Sequence, residues 1–398
     1  MPKAKQVLFR RSPSLVSYWN AGRMIFENYA TGKGVTAAPI ATEVLDFFTR
    51  WRPADAIFRH LPRYSPSSLR AAIKELARHS LLQRSDRNEH PIERAMATWT
   101  HWNPPAGFFH FTGRDLPFIA DLVRIGHYME ELTHQKAMPV PVKRYPQAAQ
   151  RQLLPARESG DFPRVLTARR TWRRFAPGKL SFADLSTLLG LTFGVREWVE
   201  VPPLGKFALK TSPSGGALHP IEAYVIARDV EGISPGIYHY DASRHRVELL
   251  RRGITRDRMS DYVIGQRWFA DACAFVVMTA VFTRTQWKYR YPRAYRVVLT
   301  EAGHLCQTFC LTATWLGLAP FCTMALADSK IDRDLGIDGV TEGALYVAGV
   351  DRFPRASIGR LHRCRKILPG RSGGRNRRAP QCVALWRRDH GFATAAKG

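Results

Sequence analysis

The feature that most constrains this fold is the apolar run from Ala272 to Met278, continuing through Ala280, Val281 and Phe282. A bilayer-spanning helix needs about 20 apolar residues, so the run is too short to cross a membrane. It reads instead as a strand buried in a core. That strand is placed at Ala274 to Met278, and around it the periodicity gives a helix from Ser181 to Leu191, strands at Ala223 to Ala227 and Ala344 to Val350, and a long helix from Thr300 to Leu316. Helices and strands interleave without a regular βαβ repeat, which predicts an α+β domain.

The chain has 398 residues, enough for two or three domains. Between Pro39 and Asp86, apolar residues at spacings of three and four (Ile40, Val44, Leu45, Phe48; Ala56, Ile57, Leu61; Leu69, Ile73, Leu76) predict three short helices. Ser65 can cap the third, and Pro66 suits its first position. With the Leu81-Leu82 pair after them, these helices read as a small winged-helix-like module spanning 1–135, fit either for DNA or for a peptide clamp. The aromatic stretch from Trp99 to Phe111, broken by Pro104-Pro105, predicts an irregular connection used for packing between domains. A Pro- and Gln-bearing stretch within 136–160 reads as a linker, 161–352 as the second domain and 353–398 as a basic tail.

The net charge of +27 comes from 60 Lys and Arg against 33 Asp and Glu, and from Asp351 onward 13 Lys and Arg stand against two Asp. Such a balance suits polyanions or acidic partners, although a basic tail is commonly only solvated. Lys3, Lys5, Arg10 and Arg11 precede no apolar stretch with a cleavage site, so a cytoplasmic protein without membrane association is expected. The six cysteines (Cys273, Cys306, Cys310, Cys322, Cys364, Cys382) show no paired CxxC and read as reduced thiols packed as small hydrophobes. Cys306 and Cys310 stand one helical turn apart with His304 close by. Two thiols on one helix supply only half of a tetrahedral shell, so no metal is expected.

Three clusters could carry chemistry. Arg169-Arg170-Thr171-Trp172-Arg173-Arg174-Phe175 offers forked charged donors and a hydroxyl for a phosphate, or is a solvated basic stretch. The Ser212 to Pro220 stretch holds Pro213, Ser214, Gly215 and Gly216, whose glycines let backbone approach a flat ligand; a plain loop is the competing reading. In Trp287-Lys288-Tyr289-Arg290-Tyr291, followed by Tyr295-Arg296, a lysine beside a tyrosine suits proton transfer, while basic aromatic patches also bind nucleic acid or stay solvated.

In their order these clusters resemble the nitroreductase-like flavoenzymes, most closely the SagB/ThcOx branch that acts on ribosomally made peptides. The likeness runs to about Pro354 and includes the Gly236-Ile237-Tyr238-His239-Tyr240 turn, the Glu301-Ala302-Gly303-His304 helix and the Leu316-Gly317-Leu318 end. The resemblance implies an FMN-dependent oxidoreductase in which Arg169, Arg170, Thr171 and Arg173 hold the FMN phosphate and Pro213, Ser214 and Gly215 lie along the isoalloxazine. It further implies a flavin at a homodimer interface, and Lys288 and Tyr289 as the catalytic pair of azoline dehydrogenases. Thr171 stands where serine is usual, and Cys322 to Asp328 lacks the glycine generally found after the Leu-Gly-Leu end. The expected substrate is a precursor peptide whose azolines become azoles, with partner peptide-modifying enzymes. The second reading is NAD(P)H-dependent reduction of dehydroamino acids in a peptide, and a small-molecule nitro or quinone reductase comes third. A DNA-binding regulator would leave the three clusters without a role, so nucleic acid is not an expected partner.

Overall fold

The computed structural model describes residues 6–36, 38–117, 119–135, 159–201 and 205–353. The linker, except its last two residues, and the basic tail after Phe353 lie outside the described residues. Four short strands come first, β1 (Leu8–Arg11), β2 (Leu15–Asn20), β3 (Arg23–Asn28) and β4 (Lys33–Thr36). After them come α1 (Pro39–Phe47), β5 (Arg52–Pro53), α2 (Ala56–His60), α3 (Pro66–Arg78) and β6 (Leu82–Arg84). The three expected helices are present. Ser65 caps α3, its hydroxyl accepting from the Ser68 amide at 3.1 Å, and Pro66 takes the position where a missing N–H costs nothing. Strands that the sequence reading did not resolve stand beside these helices: β2-β3-β4 forms one antiparallel sheet, and β1 lies between β5 and β6 in another. These strands are short and carry few fully buried residues, so they leave no alternating apolar signal to read. Phe26, Val44, Phe48, Ile57, Leu69 and Leu81 close a core of their own there.

The aromatic stretch is more ordered than an irregular connection. It holds α4 (Pro91–Met96), a 3₁₀ turn at Ala97–Trp99 and α5 (Pro105–Thr112). Pro105 starts a helix because its fixed φ suits that position. Trp99 and Trp102 are fully buried among Phe282 and Tyr295, which agrees with packing as their use. The Trp99 indole donates to the Val340 carbonyl at 2.9 Å and that of Trp102 to the Tyr289 carbonyl at 3.0 Å.

The larger unit continues with α6 (Leu122–Gln135), α7 (Asp161–Ala168), α8 (Phe182–Phe193), β7 (Glu197–Val201), β8 (Gly205–Leu209), β9 (Ile221–Ala227), β10 (Gly236–Asp241) and β11 (Arg246–Arg252). It ends with α9 (Arg256–Tyr262), α10 (Arg267–Ala270), β12 (Ala274–Val281), α11 (Phe282–Lys288), α12 (Ala294–Trp315), β13 (Leu318–Thr323), α13 (Asp328–Leu335) and β14 (Glu342–Arg352). Six strands form an antiparallel sheet in the order β11-β10-β9-β12-β14-β13. The apolar run is its centre. Ala274, Val276, Met278 and Ala280 face one core with α8 and α12, while Phe275 and Val277 face a second core under α9, α10 and α13. Both faces are covered, so the strand is continuously apolar rather than alternating. Each large side chain so buried stabilises the fold by roughly 1.5–3 kcal/mol.

Two boundaries differ from expectation. The stretch Gly236 to Tyr240, read as a turn, is strand β10 paired with β9 and β11. The long helix begins at Ala294 rather than Thr300, since Tyr295 and Val298 already point into the core. Along β13, an edge strand, the extended run after α7 lies close: the Trp172 amide donates to the Pro320 carbonyl at 3.0 Å. Proline sits comfortably there because an edge strand has an N–H to spare.

Candidate functional site

The loop between β8 and β9 is stapled to α12 at two points. Ser214 Oγ donates to Glu301 Oε2 at 2.5 Å, and Ser212 shares a hydrogen bond with Thr308 at 2.7 Å, two helical turns further on. Ser214 Oγ also accepts from the His219 amide at 2.9 Å, which ties the loop to its own exit. Gly215 to Ala217 forms a single 3₁₀ turn in which Gly216 has φ 67°. That left-handed conformation suits glycine. A Cβ on Gly215 would come within 2.6 Å of Val297 Cγ1, so only glycine allows the loop to lie this close to α12.

The Lys288-Tyr289 pair ends α11 and reaches the same loop. A Cβ placed on Gly216 would lie 3.0 Å from both Lys288 Nζ and the Tyr289 hydroxyl. Tyr289 is fixed by its amide, which donates to Thr285 at 3.0 Å, and by the Trp102 indole on its carbonyl. Lys288 is exposed, its Nζ 5.5 Å from the centre of the Tyr289 ring. Residues some seventy positions apart in sequence therefore share one small volume.

The arginine run leaves α7, where the Arg169 amide donates to Val165, and proceeds extended past β13. Arg170 stands 5.7 Å over the Trp172 ring, which packs edge-on against Phe353. Among the described residues, Arg169, Arg170 and Arg173 form no ion pair with any carboxylate. Burial holds the Arg173 guanidinium below its ordinary value. Unpaired guanidinium groups beside the Thr171 hydroxyl are a donor set matched to a phosphate dianion.

The run and the Lys288-Tyr289 pair are not neighbours. The run passes β13 where the Trp172 amide meets Pro320, two residues before Cys322 and so beside the C-terminal half of α12, whereas the Ser214 loop meets Glu301. Glu301 and Cys310 are about 14 Å apart along the helix, at 1.5 Å per residue. The arrangement fits an elongated group with an anionic end and a flat end.

Several charged residues around the loop were given no role by the sequence. Glu301 is buried, and its Oε1 has no hydrogen bond, with His219 Nδ1 at 3.7 Å. Arg284 donates to the His219 carbonyl at 2.9 Å and pairs with Glu222 at 2.5 Å. Burial disfavours the Glu222 carboxylate, yet the His239 hydrogen bond and Arg284 keep it below its ordinary range. His239, raised first by Glu222, also touches Glu248. Lys210, at the exit of β8, is lowered by burial, with Glu222 and Glu301 pulling the other way. The available signal was a charged residue inside an apolar strand, as Glu222 is in Ile221–Ala227.

The sequence profile of the nitroreductase family matches residues 166–350, a span that contains all three clusters. A protein of Methanocaldococcus jannaschii named as a nitroreductase is 32% identical over 173 residues, covering 44% of this chain and 83% of that protein. The chain belongs to the nitroreductase family. Other relatives match over less of their length. The trifolitoxin-processing protein TfxB of Rhizobium leguminosarum bv. trifolii is 32% identical over 44% of this chain and 48% of its own, and the microcin B17-processing protein McbC of Escherichia coli is 29% identical over 34% and 51%. The match thus spans about half of each of these two processing proteins. No helix among the described residues is long and apolar enough to cross a membrane.

Proposed function

We propose that this chain is an FMN-dependent oxidoreductase that dehydrogenates azoline rings of a ribosomally made precursor peptide to azoles. The observation that carries the reading is the meeting of Lys288 and Tyr289 with the Gly215-Gly216 turn. A proton-handling pair beside a glycine step, within a nitroreductase-family domain, is an arrangement for chemistry on a flat cofactor. Two relatives are named as processing proteins of trifolitoxin and microcin B17, which supports a peptide substrate.

In this reading Arg169, Arg170, Thr171 and Arg173 hold the FMN phosphate, and Pro213, Ser214 and Gly215 lie along its ring. FMN, when bound, supplies a two-electron acceptor for hydride. An azoline loses two hydrogens on becoming an azole, so the groups of this chain handle only the one that leaves as a proton. Lys288 Nζ is the base, and Tyr289 orients the ring. The N-terminal module, winged-helix-like in its helices, serves as the peptide clamp on a cytoplasmic homodimer that works beside peptide-modifying partners.

The test is single-turnover flavin reduction by an azoline peptide in wild type, Lys288→Ala and Tyr289→Phe. Positioned acid-base groups contribute about 10²–10⁴-fold, so Lys288→Ala should keep its yellow flavin yet reduce it at least about a hundred times more slowly. Tyr289→Phe should lose less. A protein that stays colourless with added FMN, or a Lys288→Ala variant that reacts at the parental rate, overturns the reading. Reduction by NADPH but never by the peptide would assign the chain to dehydroamino acid reduction instead.

A further inference from the structure

Three sulfurs meet between α12 and β13. Cys306 and Cys310, one turn apart on the helix, are almost fully buried, and Cys322 stands on the strand beside them. All three Sγ atoms lie within 4.8 Å of one another, and none is in a disulfide. His304 is on the exposed side of the same helix and takes no part. The two-thiol count made from spacing is therefore incomplete, because the fold supplies a third.

We propose that Cys306, Cys310 and Cys322 form a three-thiolate site for a thiophilic d¹⁰ cation, Zn²⁺ or Cu⁺. Metal–thiolate bonds of about 2.3 Å place sulfurs roughly 3.8–4 Å apart around one ion. The observed cluster needs only a small closing movement, within the reach of χ1 adjustments. An all-sulfur shell selects against Mg²⁺, Ca²⁺ and Mn²⁺, which take oxygen ligands. Three thiolates suffice for Cu⁺; Zn²⁺ takes a fourth ligand, and the Tyr346 hydroxyl, 3.6 Å from Cys322 Sγ, stands at the cluster. Binding would release the thiol protons to solvent and change no oxidation state. The resulting site carries net negative charge, which in a buried place needs a counter-charge. The arginine run, whose Trp172 amide reaches Pro320 two residues before Cys322, brings positive charge alongside. The ion would clamp the helix that holds the Ser214 loop to the strand along which the arginine run passes, and this holds whether or not flavin is the cofactor.

The experiment uses the full chain, reduced and handled without oxygen. It is incubated with Zn²⁺ or Cu⁺ in separate arms, passed over a desalting column and assayed for metal. The wild type should retain about one ion per chain, and Co²⁺ in place of Zn²⁺ should give a thiolate charge-transfer band. Cys322→Ser should weaken binding by more than the roughly 10–100-fold that an outer-shell change costs, and lose the band. The metal retained in preference identifies the cation. Metal held by folded Cys322→Ser at wild-type level belongs elsewhere and overturns the proposal. So does a reduced wild type that retains no ion and melts at the same temperature with and without added metal, a result that needs no variant. A disulfide from Cys322 to either helical cysteine in protein purified without reductant, joined to failure of metal binding after reduction, would make the cluster a redox pair.

Discussion

Ser214→Ala removes one hydroxyl that serves two partners, and the structure sets the size of the loss. The hydroxyl donates to the buried Glu301 carboxylate at 2.5 Å and accepts from the His219 amide at 2.9 Å. A hydrogen bond to a charged group is worth about 1.5–3 kcal/mol, and a buried N–H left unpaired costs about 1–3 kcal/mol. Glu301 Oε1 already lacks a hydrogen bond, so no second donor on the carboxylate compensates. We expect a loss of about 4 kcal/mol, a large part of the 5–15 kcal/mol typical of a folded protein. The assay is urea unfolding of protein freed of any bound cofactor, so that ligand affinity does not enter. A double-mutant cycle with Glu301→Gln isolates the pair, with an expected coupling of about 1.5–3 kcal/mol. Glu301→Gln alone should cost less than Ser214→Ala, because glutamine keeps an acceptor oxygen. A Ser214→Ala loss under about 1 kcal/mol, or a coupling near zero, would refute the reasoning.

Arg169→Ala combined with Arg173→Ala should strip FMN on gel filtration, each lost charged hydrogen bond being worth about 1.5–3 kcal/mol; full retention by the folded variant would move the phosphate site elsewhere. Gly349→Ala should cost about 1–3 kcal/mol by overpacking, since its Cβ meets the Phe321 ring, which is stacked on Phe269 at 3.9 Å; an unchanged melting temperature contradicts it. Burial, and then the charge of Arg114, pull His110 down to about 3 from 6.5. The unfolded chain binds a proton between those values that the fold refuses, so this contribution to stability falls as pH drops from about 6.5 toward 3. His110→Gln should remove that slope, up to about 1.4 kcal/mol per pH unit, and parallel stability curves for the two proteins would sink the idea.

How much could be read in advance depended on where the information lay. The apolar run from Ala272 announced β12 because it is covered on both faces, and Ser181 and Ser65 announced helix starts because a cap is a local device. The hairpin of β10 and β11 was hidden, since β11 exposes most of its residues and its arginines blur any alternation. The start of α12 was hidden by Arg293 and Arg296, two basic residues flanking the turn that first enters the core. For the candidate site, each cluster was visible, but the contact of Gly216 with Lys288 and Tyr289 was not, because it arises from how α11 packs beside the loop. The third cysteine was silent for the same reason. Eleven residues of helix end, turn and the first part of β13 separate Cys310 from Cys322, and only the return of the chain in β13 brings the sulfurs together.

The arginine run also borders an open side of the sheet. β13 is the last strand of six, and its free backbone groups are the kind on which a strand of another chain can template. Trp172 closes on Pro320 there, and Pro320 itself offers no amide to a newcomer. An anion held by Arg169, Thr171 and Arg173, as proposed above, would therefore keep this border shut as well. Protein depleted of that anion should be the form that self-associates, and on that proposal the residues that would grip a small molecule would also guard the chain against aggregation.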